Sequence, residues 1–262
     1  MFSSCVQPPL VSLFSSTGSD SLALFATQTD PDLPADSFVC LLQDISSSPL
    51  PPSPAKLVLP ACLENDSDNQ KGEGYTLTQT VLHIQSPTLR TTFIRCPPAG
   101  DLGLKHPWIH FQVRNMGKGW SLEVGVVDRS GVEGVIRCST FQKEPSLKYT
   151  QPPVLHLPLA FPHASTRPLT TWSTIDLNIA SMLPSFSSTV FYHSDDVSDE
   201  EEGVFGRPTK KPRPAVPVPS GMYSHVSYVK VYATCRLRRI WFSQNGTTHE
   251  LPWEFQLHSA DY

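Results

Sequence analysis

Charge and helical periodicity are what this sequence has least of. Only 17% of its 262 residues are Asp, Glu, Lys or Arg, and 26 are proline, which argues against a helical bundle or coiled coil. No stretch approaches the roughly 18 consecutive apolar residues of a membrane span, so no membrane partner is expected. The opening MFSSCVQPPLVSLF has neither a basic start nor a long apolar run, and no secretory signal is read there. Without secretion, Asn65-Asp-Ser67 and Asn245-Gly-Thr247 are chance glycosylation sequences. Six cysteines stand singly, at 5, 40, 62, 96, 138 and 235, with no CxxC pair and no Cys/His group of zinc spacing. All six are expected as free thiols, and Cys96, Cys138 and Cys235 fall in strand-like runs where a thiol packs as a small hydrophobe.

Catalytic motifs are missing as well. There is no GxSxG, no HExxH and no glycine-rich phosphate loop. His106 and His110 share an i, i+4 spacing, but Pro107 and the alternation after it remove the helix that a zincin needs. Asp176 and Glu123 sit on strand faces with no second carboxylate near them in sequence. The expectation is a protein that is not an enzyme, with no catalytic, cofactor-binding or metal site.

What the sequence does have is strands. Leu10 to Phe14 and Leu22 to Phe25 read as short strands about a turn at Gly18, and Phe38 to Leu42 as a buried one. Thr76 to Gln85 and Arg90 to Cys96 are rich in β-branched residues. Ile109, Phe111 and Val113 alternate with polar neighbours, as do Trp120, Leu122, Val124 and Val126. Asp128-Arg-Ser-Gly131 turns the chain into Val135 to Phe141. Pro158 predicts an edge position for Leu155 to Leu159; Trp172 to Ile179 alternates again and precedes a short helical turn. Trp108, Trp120 and Trp172 read as core residues. Many short strands with almost no helix predict an all-β fold, a β-sandwich or jelly roll.

Two stretches interrupt this single domain of residues 1–262. Residues 44–74 and 184–222 are serine-, proline- and charge-rich and predict largely disordered insertions. The second holds Asp195 to Glu202 around Ser194 and Ser198, then Arg207 to Arg213, which reads as a solvated charged loop in preference to a kinase target or nuclear-import signal. The net charge of −4 is unevenly spread: residues 1–87 carry two basic and nine acidic side chains, whereas 88–183 with 223–262 carry 14 basic and nine acidic. A basic remainder suits an acidic partner, tubulin or nucleic acid.

The run from Val226 to Leu257 is the densest. Val229, Val231, Ala233, Cys235 and Leu237 alternate with Lys230, Tyr232, Thr234, Arg236 and Arg238. Arg239 breaks the pattern, which predicts a bulge. Asn245-Gly246 predicts a turn, and Trp253, Phe255 and Leu257 predict a last strand. The alternation places Arg236 and Arg238 on a solvent face, so they and Arg239 are candidate docking residues, and their substitution should leave the fold intact. The alternative is a wet strand face with no partner.

The run Ala233 to Ser243 with Glu250 to Phe255 closely resembles the C-terminal signature of the cilia- and flagella-associated protein 20 family. Thr92 to Pro97, Leu102 to Lys105 and Pro107 to Ile109 resemble a middle block, and Met1-Phe2 with Leu10 to Phe14 an N-terminal one. The resemblance implies a jelly roll similar to carbohydrate-binding modules, although such a fold does not imply sugar binding. It implies a structural microtubule-associated protein at the inner junction of axonemal doublets, with tubulin and the parkin co-regulated protein as partners and nucleic acid unlikely. Lys105 and Trp108 of the middle block are further docking candidates. The two insertions leave a paralogue at the centriole or basal body, or a nuclear regulatory adaptor, as alternatives.

Overall fold

Alternating β-branched and aromatic residues produce two packed sheets. The computed structural model describes residues 1–50, 80–161, 171–188, 216–246 and 251–256. In chain order the strands are β1 (Leu10–Ser15), β2 (Ala26–Gln28), β3 (Phe38–Gln43), β4 (Thr80–Gln85), β5 (Phe93–Cys96) and β6 (Trp108–Asn115). They continue as β7 (Ser121–Asp128), β8 (Glu133–Ser139), β9 (Ser146–Lys148), β10 (Val154–Pro158), β11 (Trp172–Asn178), β12 (Tyr223–Tyr232) and β13 (Cys235–Ser243). The first sheet has the order β11-β6-β13-β4-β3, with β1 also paired to β13; the second has the order β2-β5-β12-β7-β8-β10-β9. Between them lie Ile109, Phe111, Val113, Leu237 and Phe242 of the first sheet and Ile94, Leu122, Val124, Val126, Val229 and Val231 of the second, all fully buried. Each such side chain stabilises the sandwich by roughly 1.5–3 kcal/mol.

The alternating run that ends the chain is two strands, one in each sheet. β12 ends at Tyr232, the chain crosses at Ala233-Thr234, and β13 begins at Cys235. Val229, Val231, Ala233, Cys235 and Leu237 all stay in the core through the crossing. The bulge falls where it was expected, as a register shift between Leu237 and Arg239.

Other expectations need correction. Leu22 to Phe25 is turn, closed by Ala23 N–H on Asp20 and Phe25 N–H on Leu22. Leu155 to Leu159 is not at an edge, because β10 pairs parallel with β8 and antiparallel with β9. Pro158 is tolerated because β9 reaches only His156, and the Leu159 N–H already satisfies Ser139 on the other side. Trp253–Phe255 is a 3-10 helix in place of a strand, and Leu257 lies outside the described residues.

Both ends of the stretch 184–222 and the start of the stretch 44–74 belong to the described fold. Asp44 is buried, Leu42 bridges Pro49, and Phe186 is fully buried in the 3-10 helix Leu183–Ser187. Just before it, the helix α1 (Ile179–Met182) is capped by Asn178, which accepts from Ser181 N–H. On the far side of the second insertion, Ser220 and Gly221 donate to the Asp128 carboxylate at 3.3 and 3.2 Å. Residues 51–74 and 189–215, with their serine, acidic and basic motifs, lie outside the described residues. No helix among the described residues is long and apolar enough to cross a membrane. Cys5, Cys40, Cys96, Cys138 and Cys235 are free, and burial pushes the thiols of Cys96 and Cys138 up to about 12; Cys62 lies outside the described residues.

Candidate docking surfaces

Side chains that alternate away from the core meet on two outer faces. On the first sheet Arg236 of β13 lies opposite Arg114 of β6, which lies opposite Trp172 of β11. Asp44, just past β3, is the hub of this face. Its Oδ1 accepts from Arg236 at 2.8 Å and Arg114 at 3.0 Å, its Oδ2 accepts from the Trp172 indole at 2.8 Å, and Arg238 approaches to 3.6 Å. Burial pushes the Asp44 carboxyl up, but the bonds from Arg236 and Trp172 and the charges of Arg114 and Arg238 outweigh it and hold the group below the usual carboxylate range.

This arrangement overturns the solvent-facing reading of Arg236. Its side chain is 7% exposed, and it also donates to the Asp44 carbonyl and to Ser47 Oγ. The alternation was right about direction and wrong about solvent, because the Asp44 turn covers this part of the outer face. Arg238 is 22% exposed and stacks over the Trp172 ring at 4.1 Å. The bulge sends Arg239 elsewhere, over Phe255 at 4.8 Å with a 3.2 Å bond to Ser15 Oγ. Lys105 is exposed in the loop before β6, its N–H held by Gln7 at 2.9 Å. Trp108 is half-buried against the turn at Gly246, whose φ of +62° suits glycine and where a Cβ would meet the indole at 2.6 Å. Arg236 and Arg238 are therefore brought together with Arg114, whereas Arg239, Lys105 and Trp108 stand apart from them.

The second sheet carries a row that the sequence did not reveal. Register places Arg95, Lys230, Glu123, Arg137 and His156 opposite one another on five adjacent strands. Glu123 is 5% exposed. It takes Arg137 Nε at 2.7 Å and the Tyr232 and Tyr228 hydroxyls at 2.9 and 3.4 Å. Burial and the charges of Arg137 and Lys148 push His156 down to about 4, so its ring is neutral at pH 7. Lys230 lies 3.6 Å from the Phe93 ring centre and 4.5 Å from that of Tyr232; Arg95 lies 4.9 Å from that of Tyr228. The signal for Glu123 was its place on an alternating strand, but only the register shows which cations flank it.

A third cluster has the form of a catalytic triad. His110 Nδ1 is 2.5 Å from Asp176 Oδ1, and its Nε2 is 2.8 Å from Ser243 Oγ. The carboxylate makes Nδ1 the donor, leaving Nε2 to accept the serine proton. Ser243 is fully buried, however, and His110 stacks between Trp108 and Trp241. No substrate carbonyl reaches that hydroxyl in this conformation. The three groups tie β6, β11 and β13 together.

A family model described as the CFA20 domain matches residues 35–198. Over 184 residues the chain is 27% identical to a protein of Chlamydomonas reinhardtii named cilia- and flagella-associated protein 20, covering 69% of this chain and 75% of that one. A protein of the same name from Caenorhabditis elegans is 26% identical over 181 residues, 68% of each chain. Another from Paramecium tetraurelia is 26% identical over 184 residues, 69% of this chain and 74% of that one.

Proposed function

This chain belongs to the CFA20 domain family, and on that premise we propose that it is a non-enzymatic structural protein of the cilium that docks on axonemal doublet microtubules. The cilium-related role rests on its relatives, which are named as cilia- and flagella-associated proteins. The observation that carries the docking reading is the surplus of cations on the outer face of the second sheet, where Arg95, Lys230 and Arg137 surround the single carboxylate of Glu123. Such a face suits an acidic polymer like tubulin. Repetition along a filament would let modest contacts act together. Within this reading the chain bridges A- and B-tubules at the inner junction, beside a protein like the parkin co-regulated protein. A centriolar or basal-body position is the variant that the insertions favour.

Tagging the chain in ciliated cells tests the proposal. Signal along the doublets, released from isolated axonemes as ionic strength rises, is the expected result. Signal confined to the basal body would select the centriolar variant, and signal confined to the nucleus would overturn the ciliary reading.

A further inference from the structure

The Arg95–Lys230 row forms one end of a groove of about 550 Å³ on the outer face of the second sheet. Its floor is the Tyr228 ring, which lies across Gly125; a Cβ there would meet that ring at 2.4 Å, so the glycine lets the ring lie against the sheet. At the other end stand Asp101 and Glu133. Lys230 pairs across to Glu123 of β7 and Glu133 pairs to Val127 of the same strand. The two ends are thus four residues apart along β7, or about 13 Å at roughly 3.3 Å per residue.

The cationic end is unfinished. The Glu123 charge is spent on Arg137, and two tyrosine hydroxyls also bond to that carboxylate. Among the described residues Arg95 donates only to the carbonyls of Pro97 and Pro98. The Lys230 ammonium has aromatic rings beside it but no hydrogen bond and no ion pair among the described residues. At the acidic end Asp101 accepts from Gly103 N–H at 3.0 Å and meets His225 at 2.8 Å, which leaves Glu133 as the exposed carboxylate. A half-buried ammonium without an anion costs desolvation that a partner carboxylate would offset.

We infer that this groove is a docking site for an extended peptide segment of a partner protein, with an acidic residue at Lys230 and Arg95 and a basic residue four positions along at Asp101 and Glu133. Between them an apolar or small side chain lies on Tyr228. An extended segment of five residues spans the distance, and the two charge pairs with an aromatic floor supply register and specificity. The assignment stands on the groove and does not depend on where in the cell the protein sits.

The test uses the full chain, fluorescently labelled, on an array of immobilised heptapeptides with one Glu and one Lys at every spacing among alanine and leucine. Binding should peak where the two charges are four positions apart. Lys230→Met with Arg95→Gln should weaken that peptide about tenfold. Glu→Gln in the peptide should do the same, and the two changes together should cost no more than either alone. Lys118→Gln, an exposed change in the turn after β6 and outside the groove lining, should leave binding unchanged. Binding that ignores spacing, no binding, or equal binding by the double variant would overturn the assignment. So would displacement by an uncharged oligosaccharide, which would mark a glycan site. Binding seen only after deletion of residues 194–213 would show that the chain's own charged run takes the groove, and would equally overturn it. Loss of axonemal localisation with intact peptide binding would count against the ciliary proposal alone.

Discussion

The two outer faces share a plan and differ in completion. Each buries one carboxylate among cations and aromatics: Asp44 with Arg114, Arg236, Arg238 and Trp172, and Glu123 with Arg137, Tyr228 and Tyr232. On the first face the carboxylate comes from a turn that folds back over the sheet, so the cations point inward to it and become structural. On the second face the carboxylate is part of the sheet itself, and no acidic turn among the described residues folds over the outlying cations, Arg95 and Lys230. Where the acid arrives decides whether a basic strand face is part of the fold or part of a binding surface.

The comparison breaks most sharply at Asp44. Asp44→Asn leaves three guanidinium groups facing one another without a charge, and breaking a buried ion pair costs about 3–5 kcal/mol. Denaturant unfolding should show that loss, and Arg236→Glu should be at least as damaging. Retention of parental stability by Asp44→Asn would mean that the arginines are solvated and the first face is open after all.

Acid separates the faces next. The Asp44 carboxyl is held below the usual range, so its contribution is full above about pH 4 and is lost as pH falls through its lowered value. His156 titrates in a different window. Its folded-state value is pushed down to about 4, so between about pH 6.5 and 4 the unfolded chain takes up a proton that the folded one refuses, and stability falls as pH drops through that range. Stability of His156→Gln measured from pH 7 to 4 should therefore fall less than the parent's. An unchanged slope would show that the ring is protonated in the fold.

A smaller loss is expected at the buried strap. Ser243→Ala removes the partner of His110 Nε2 in a fully buried site, which costs about 1–3 kcal/mol. A thermal shift near zero would show that water replaces the hydroxyl.

These outcomes also measure how far the sequence could be read. Strand identity, the bulge beside Arg239 and the short helix at Ile179 follow from local alternation, β-branching and the Asn178 cap, all of which act within a few residues. The partners do not. Arg236 meets Asp44 from 192 residues away, and nothing local separates an arginine awaiting a distant turn from one awaiting water. The crossing at Ala233-Thr234 was hidden for a related reason: one apolar face serves both sheets, so the alternation runs through the crossing without a mark. The Glu123 row needed the register of five strands, which periodicity alone does not set.

The smallest effect is the most telling, and it belongs to Lys230. Methionine has nearly the same length and keeps the stem against Phe93 and Tyr232, where its sulfur makes favourable ring contacts. Burial already pushes the Lys230 ammonium below its ordinary value, with the charges of Arg95 and Arg137 acting in the same direction against the pull of Glu123. Removing that charge therefore takes away a desolvated cation and breaks no ion pair or hydrogen bond among the described residues. Lys230→Met should change unfolding free energy by no more than about 0.5 kcal/mol, the ordinary range for a surface change, while Asp44→Asn loses several times that. Both can be read in the same denaturant titration. If Lys230→Met fell as far as Asp44→Asn, attraction to Glu123 would be holding the second sheet together, and the two faces would be the same device.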